Sequence, residues 1–463
     1  KVRISAEGTT LKWHEAAQTR GYQRIMSSVR IHYLNHASLL VDLGQVRILF
    51  DPWLEGTAFS GGWGLRYDNP DAFEIGATAT HLWLSHWHSD HLHAPSLSRL
   101  AELNPDMVVL ANLSANFSMV ERLASFGFRD VRPIGEREPM RLSEETAVCR
   151  YPTAGIDNML HIESGSWSML NYNDCNLPAK AIQSLRRHIG AIDLLFTNYN
   201  HAGKLFDIVD DERRKGQLLQ VLELTADALE PTRVVPFASN HYYRTHESAD
   251  QNASMLGFAE LDMLAARDER FVVPRIGDEL VFESPTDARV RSKQPPVPHQ
   301  PLETHDYGEP VPWNSLIEEV SSRCEALEGQ FLKLGRLAVP ELVVRLSDHG
   351  RDLKLAIGKA AEEAAPGSAP HIEAHSQAIR IWLARRFGDD TFIAGAHFRI
   401  LDADTTAIER WALVTLLEAS HLDPQSCLQY LGQADGRKFL WNRREEIFAT
   451  LFGGRVKAGR VRL

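Results

Sequence analysis

Four side chains able to ligate a metal ion, His86, His88, Asp90 and His91, fall within six consecutive positions directly after the apolar run HLWLS. This H-x-H-x-D-H string constrains the fold more tightly than any figure for composition. Successive residues in an extended or tightly turned backbone face opposite ways, so the H-x-H pair and the D-H pair are expected to serve two adjacent ions. Helical spacing resumes after Pro95 in SLSRLAEL. The local plan is therefore strand, loop, helix, with the ligating residues at the carboxyl end of the strand. A chance surface cluster of histidines is the bland alternative, and four candidate ligands in six positions weigh against it.

The remaining segments supply a scaffold for such a loop. IHYLNHASLLVDLG and QVRILFDPW read as two strands turned at Gly44, and further strands are expected at MVVLA, TAVCRYP, NMLHIES, SWSMLNY, IDLLFTN and RVVPFAS. Helical stretches such as GQLLQVLELTADAL lie between several of them. An α/β arrangement of mixed sheets covered by helices follows. From Ser284 to Trp313 seven prolines disfavour helix and central strand, so this stretch reads as a linker. Beyond it, Leu316, Val320, Cys324, Leu327 and Phe331 recur at helical spacing, ELVVRLS, LKLAIG and FIAGAHFRIL read as strands, and AIERWALVTLLEAS and KFLWNRREEIFATLF as helices. The expected organisation is an arm over 1–29, a catalytic domain over 30–283, the linker over 284–313 and a smaller α+β domain over 314–463.

A dinuclear site needs ligands from elsewhere in the chain. Asp174 follows the strand SWSMLNY and is placed to bridge two cations through its two oxygens. Asp157 precedes a strand and sits where zinc hydrolases often carry a histidine, although a turn Asp explains it as well. His241 and His246 are alternatives for completing the second site, one of them at most being a ligand. His36 and Asp51 flank the first strands and suit the task of orienting ligating imidazoles, or of capping a loop. His161 and Glu163 share a strand face that solvent accounts for equally well. Trp63, Tyr199 and Lys204 stand in loops beyond strand ends and are expected to line a substrate pocket.

Composition narrows the partners. The 463-residue chain carries a net charge of −11 and no Lys/Arg-rich tract, which argues against nucleic acid or an anionic membrane as the main partner. No apolar run approaches the length of a membrane span, and the first residues lack the order of a signal peptide. Four dispersed cysteines suggest neither a disulfide framework nor a thiolate cluster, and a reducing, cytoplasmic setting is expected. Lys1 stands where an initiator Met would, which leaves room for an upstream segment.

Taken in order, FDPWLEGTAFSGGW, LSHWHSDHL, NDC and PFA resemble the metallo-β-lactamase-like part of the CMP-N-acetylneuraminate hydroxylases, over roughly Arg30 to Asp250. The resemblance implies a metallo-β-lactamase αββα sandwich, followed here by an α+β domain similar to sterol-carrier-protein-like folds. It also implies an aspartate at Asp157, and a late histidine in a context like Thr245-His246-Glu247-Ser248, which ranks His246 above His241. Those hydroxylases carry a Rieske iron–sulfur module needing C-x-H and C-x-x-H ligands, and none of the four cysteines here has such a partner. If the chain oxidises a substrate, electrons are then expected from a separate electron-transfer protein or reductant, or from a module upstream of Lys1. The β-hydroxylase of chloramphenicol biosynthesis is a second similar protein, and it implies a dinuclear iron centre built from H-x-H-x-D-H plus carboxylates.

Three functions are weighed. In the first, two irons held by His86, His88, Asp90, His91, Asp157, Asp174 and His246 activate dioxygen to hydroxylate a small polar metabolite. In the second, zinc, or manganese, hydrolyses an ester, lactone or phosphodiester, with Asp90 orienting the nucleophile. A non-catalytic scaffold is the remote third.

Overall fold

The computed structural model describes residues 28–114, 117–204, 206, 209–292, 298, 302–331, 339–384, 388–419 and 434–444. Most of the expected arm, and the end of KFLWNRREEIFATLF, lie outside them. The apolar segment from Val29 to Phe50 forms three antiparallel strands rather than two, Val29–Asn35, Ser38–Asp42 and Arg47–Phe50. The additional turn is at His36, which adopts a φ of 28° while Asn35 Oδ1 accepts its backbone N–H. A non-glycine residue in such a conformation costs about 1–3 kcal/mol and persists only where its surroundings over-determine it. At His36 the surroundings are the candidate site.

These strands centre a mixed sheet that runs, in spatial order, Asp287–Arg291, Glu279–Ser284, Val29–Asn35, Ser38–Asp42, Arg47–Phe50, His81–Trp83 and Val108–Ser114. Asp130–Ile134 also pairs with Val108–Ser114. The pairings from Arg47–Phe50 through His81–Trp83 to Val108–Ser114 are parallel. A second sheet orders Met140–Arg141, Thr146–Pro152, Asn158–Ser164, Trp167–Asn173, Leu194–Thr197 and Arg233–Pro236, the last three in parallel. Leu39, Val41 and Phe50 of the first sheet meet Leu160, Met169 and Phe196 of the second in one buried layer. Each such side chain contributes about 1.5–3 kcal/mol on burial.

Helices cover both outer faces. Ala94–Leu103 buries Leu97 and Leu100 against the first sheet, and Asp211–Leu229 buries Leu218 and Leu222 against the second. The order of layers is αββα, as the sequence leads one to expect. Segment 284–291 departs from the linker reading: Asp287–Arg291 pairs antiparallel with Glu279–Ser284 and extends the first sheet, because the Ser284–Asp287 turn, with Pro285 within it, closes a hairpin before the remaining prolines begin at Pro295.

The C-terminal unit is α+β. Its sheet orders Glu362–Glu363, Arg351–Leu355, Leu342–Leu346, Ile372–Ala374 and Arg399–Ile400, packed by helices Trp313–Phe331, Ser376–Ala384, Gly388–Ala394 and Thr406–Ala419. FIAGAHFRIL is not the strand expected from its apolar content. Its Phe392 closes the helix Gly388–Ala394 and stacks on Trp382 and Phe398, the chain reverses at Ala396 with a φ of 53°, and only Arg399–Ile400 is extended. Two core aromatics facing one cluster from either side of a turn won over the run's strand propensity. No helix among the described residues is long and apolar enough to cross a membrane.

Burial keeps several imidazoles neutral. His161, on the strand Asn158–Ser164 and bonded to Ser168 Oγ at 3.0 Å, is pushed down to about 4 by burial. In the unfolded chain the same group takes up a proton near 6.5. Its contribution to stability is therefore whole above about pH 6.5 and is lost as the pH falls toward 4. The urea midpoint is expected to drop between pH 7 and pH 4.5, and His161→Gln to flatten that dependence. An unchanged slope in the variant would remove His161 from the cause.

Candidate metal centre

Every element that reaches the site does so at a strand end. Phe50 ends one strand and delivers Asp51, Trp83 ends the next and opens the loop carrying His86 to His91, and Asn173 ends a third and delivers Asp174. The loop is pulled tight by His91 N–H and Leu92 N–H, which both donate to His88 O at 3.0 and 2.7 Å. Asp51 Oδ1 accepts the Ser85 N–H at 2.8 Å, and Asn158 Nδ2 donates to Ser85 O at 2.8 Å. Asn158 is held in turn by the buried Arg150, whose guanidinium donates to its Oδ1 at 2.7 Å and to Ile134 O at 3.0 Å.

Each imidazole of the string turns one nitrogen outward to a partner and one inward. His86 Nδ1 lies 2.9 Å from Ser85 Oγ, and His91 Nδ1 lies 3.2 Å from Asp51 Oδ2. His88 Nε2 faces Asp390, from the C-terminal unit, at 3.7 Å. Inward, His86 Nε2 and His88 Nδ1 converge to 3.0 Å, with Asp157 Oδ1 at 3.8 Å from the former. His91 Nε2 stands 3.3 Å from Asp90 Oδ2 and 3.1 Å from Asp174 Oδ2, and Asp90 Oδ2 is also 3.2 Å from His36 Nε2.

These spacings suit metal ions. Bonds of about 2.0–2.2 Å at tetrahedral or octahedral angles place neighbouring donors about 2.8–3.6 Å apart. Two groups of donors gather within 4.8 Å, His86, His91 and Asp174 in one and His36, Asp90 and His91 in the other. Moreover, Asp90 Oδ1, Asp174 Oδ1 and both ring nitrogens of His241 are buried with no hydrogen-bond partner among the described residues. Orphaned buried acceptors are costly unless a cation satisfies them.

The electrostatics agree. Burial alone would neutralise His91, but Asp90, Asp174 and Asp51 raise its pKa well above the ordinary value. Burial likewise opposes the His88 cation, yet Asp390, Asp90 and Asp157 lift it to about 9. His86 is lowered well below the usual range by burial and by His91 and His88. Asp157 is raised to about 6 by burial and the nearby Asp174, while Asp90, despite burial, is held well below the carboxylate range by His91 and His36. Protons on His88 and His91 here balance carboxylate charge that a bound cation would balance instead.

Residues 30–164, which include the whole string, match the model of the β-lactamase superfamily domain. The N-terminal unit has the metallo-β-lactamase fold. Over 82 residues the chain is 44% identical to the cytidine monophosphate-N-acetylneuraminic acid hydroxylase of Cricetulus griseus, a match covering 18% of this chain and 15% of that protein. The corresponding protein of Homo sapiens, described as inactive, is 45% identical over 82 residues, with 18% and 16% covered. The chain thus spans less than a fifth of the length of these relatives. Among solved structures, a diiron β-hydroxylase from Streptomyces venezuelae is 18% identical with a TM-score of 0.40, covering 55% of this chain and 54% of that one. A metallo hydrolase from Ignicoccus hospitalis is 16% identical with a TM-score of 0.39, covering 56% and 100%.

Within this metallo-β-lactamase-fold unit the late histidines exchange places relative to expectation. His246 is exposed, and its carbonyl accepts from Arg399 at 3.2 Å. His241 is buried, its ring 5.3 Å from that of His36 and stacked on Trp63 at 3.9 Å. The strand His241–Tyr243 pairs with Trp63–Leu65, and that pairing, which no flanking motif reveals, brings His241 inward. Trp63 therefore packs behind His241 rather than lining a pocket. Tyr199 is buried among Leu195, Leu218 and Leu256, and Lys204 is buried at the seam with the C-terminal unit, its Nζ donating to Glu247 O at 3.2 Å. Neither faces the cleft. That cleft, of about 370 Å³, is lined by Phe59, Ser60, Trp87, His88, Arg122 and Asp390, among others.

His36 was read from the sequence as an orienting residue, and the structure brings its Nε2 in among the candidate donors. Its positive φ is the only local sign, and the sequence does not display it. Ser85, Arg150, Asn158, Asn173 and Asp390 had no signal as isolated residues. Asp51 has three partners, since Asn173 Nδ2 also donates to its Oδ2 at 3.1 Å. Asp51→Ala is expected to cost about 3–5 kcal/mol by leaving buried donors unanswered. The denaturant midpoint measures it, and a loss below 1 kcal/mol would contradict this account.

Proposed function

We propose that the chain is a dinuclear-metal enzyme that hydroxylates a small polar metabolite with dioxygen, using iron. The observation that carries the reading is the donor set: the carboxylates of Asp90, Asp157 and Asp174 stand among the inward nitrogens of His86, His88 and His91. Carboxylates favour the higher oxidation states that oxygen chemistry visits, and imidazoles leave positions open. The partial similarity to hydroxylases supports the same reading.

In this reading His86, His88 and Asp157 would hold one ion and Asp90, His91 and His241 the other, and Asp174 would serve with them as a carboxylate ligand. Bound irons would supply the redox chemistry by which dioxygen, two electrons and two protons become one hydroxyl group on the substrate and one water. A separate electron-transfer protein is the source of the electrons. The chain's own contribution is to fix the donors from Ser85, Asp51 and Asn173, and to seat the substrate in the cleft. Phe59 and Trp87 exclude water there, and the Arg122 guanidinium offers a counter-charge for an anionic group.

A zinc hydrolase of an ester, lactone or phosphodiester is the second reading, favoured by the match of residues 30–164 to the β-lactamase superfamily domain. Metal analysis of protein produced without added zinc separates the two. Iron, with an absorbance change on exposure to oxygen, is the expected result. Zinc alone, with turnover of generic esters under strictly anaerobic conditions, would overturn the oxygenase in favour of the hydrolase. His88→Ala combined with Asp90→Ala is expected to abolish metal retention in either case, and full retention would count against the site itself.

A further inference from the structure

The string His86 to His91 is served by two units of the chain, and the second is the less obvious. The outer nitrogens of His86 and His91 find their partners, Ser85 and Asp51, within the metallo-β-lactamase-fold unit. His88 does not. Its inner Nδ1 converges on His86 Nε2 at 3.0 Å, and its outer Nε2 points across the cleft at Asp390 Oδ1, 3.7 Å away. A ligating imidazole is normally fixed in tautomer and ring orientation by a partner on its other nitrogen, and a carboxylate partner also makes it a stronger donor.

We infer that Asp390 is the positioning residue for His88, so that the C-terminal unit completes the metal centre of the N-terminal one. The inference rests on the reading of the string as a metal site, and concerns which residues make that site.

Asp390 is no dangling surface carboxylate. It lies on the helix Gly388–Ala394, which is anchored to the N-terminal unit at backbone level. Lys204 N–H donates to Ile393 O at 2.9 Å, and Thr245 Oγ1 to Ala396 O at 3.0 Å. The His397 ring approaches Phe59 O at 2.7 Å through Nε2, with Tyr307 Oη on its Nδ1 at 2.8 Å. Contact at Gly62 is so close that a Cβ there would lie 2.5 Å from Gly395 O, and one at Gly203 would lie 3.2 Å from the Ala394 Cα. A larger residue at either position would push the helix, and Asp390 with it, away from His88. At 3.7 Å the pair is an ion pair one small side-chain adjustment short of a hydrogen bond, and the carboxyl is free to make it, being only partly buried.

A second anchor holds the opposite side of the centre. Arg443 donates to Thr153 O at 2.7 Å and pairs with Glu136 at 3.2 Å, at the base of the turn that carries Asp157. The C-terminal unit thus grips the turn that supplies Asp157 and also the Phe59 turn, whose Phe59 N–H donates to Ser89 Oγ of the ligating loop at 2.7 Å.

The test titrates the full-length chain, stripped of metal, with Co²⁺ and with Zn²⁺ against a competing chelator. Wild type, Asp390→Asn and Asp390→Glu are compared. Asp390→Asn keeps the shape and removes the charge, and is expected to weaken binding at the His86/His88 position about 10–100-fold and to alter the visible Co²⁺ spectrum, with the urea midpoint unchanged. Asp390→Glu is expected to restore most of both. A second measurement needs no variant: nitrogen-15 spectra of the zinc-loaded wild type should show His88 bound through Nδ1 and protonated at Nε2. Wild-type affinity and spectrum in Asp390→Asn, or His88 bound through Nε2, would overturn the inference. A raised KM with unaltered metal binding would also overturn it, assigning Asp390 to the substrate instead. Failure of the wild type to bind either ion would defeat the metal-site reading beneath it.

Discussion

A single carboxylate, Asp51, ties together the three loops from which the candidate centre is made. It is fully buried at the end of the strand Arg47–Phe50 with a φ of 36°, and its two oxygens answer Ser85 N–H, Asn173 Nδ2 and His91 Nδ1. Ser85 begins the ligating string, Asn173 precedes Asp174, and His91 is the donor that stands between Asp90 and Asp174. A carboxylate in so dry a place is tolerable because both its oxygens have hydrogen-bonding partners. That requirement helps to fix the relative position of strands from both sheets, which are also joined where Asn158 Nδ2 donates to Ser85 O and Asn173 Nδ2 to Ser85 Oγ.

Around that anchor the fold accumulates unfavourable local features. His36, Asp51 and Asn173 all carry positive φ. Asp90 and Asp174 each leave one oxygen without a partner among the described residues, and His241 leaves both nitrogens so. Strain and unsatisfied polarity of this kind cluster at functional sites because the surrounding packing is strong enough to impose them. Here the packing is the double layer of Phe50, Leu160, Met169 and Phe196 between the sheets.

The C-terminal unit changes the character of the cleft. Its own core is built on Trp382, Phe392, Phe398 and Trp411, and Phe206 of the N-terminal unit packs against it. Yet Gly395, just beyond its helix Gly388–Ala394, presses on Gly62, and the helix presents Asp390 and Thr391 to the cleft beside His88. An α+β unit that shares no metal motif with its neighbour thereby becomes one wall of the cleft, opposite Trp87 and Arg122.

Local spacing in the sequence was enough to expose the strand before His86, the helix after Pro95, mixed sheets covered by helices and the candidacy of His86, His88, Asp90, His91, Asp157 and Asp174, because period and ligand density are properties of neighbouring residues; the αββα order of layers is what the family resemblance implies. It was not enough for the residues whose roles depend on who lies opposite. His241 and His246 are five positions apart in similar surroundings, and only the pairing of His241–Tyr243 with Trp63–Leu65 turns the first inward and leaves the second in solvent. Lys204 and Tyr199 look like loop residues and are buried at a seam and in a core. His36 needed a backbone reversal that alternation does not encode, and Asp390 needed a second unit, some 300 residues on from His88, to dock against the first. Ligand type is written in the residue, whereas ligand partnership is decided by contacts between distant segments, and those exist only once the two sheets and the C-terminal unit have packed.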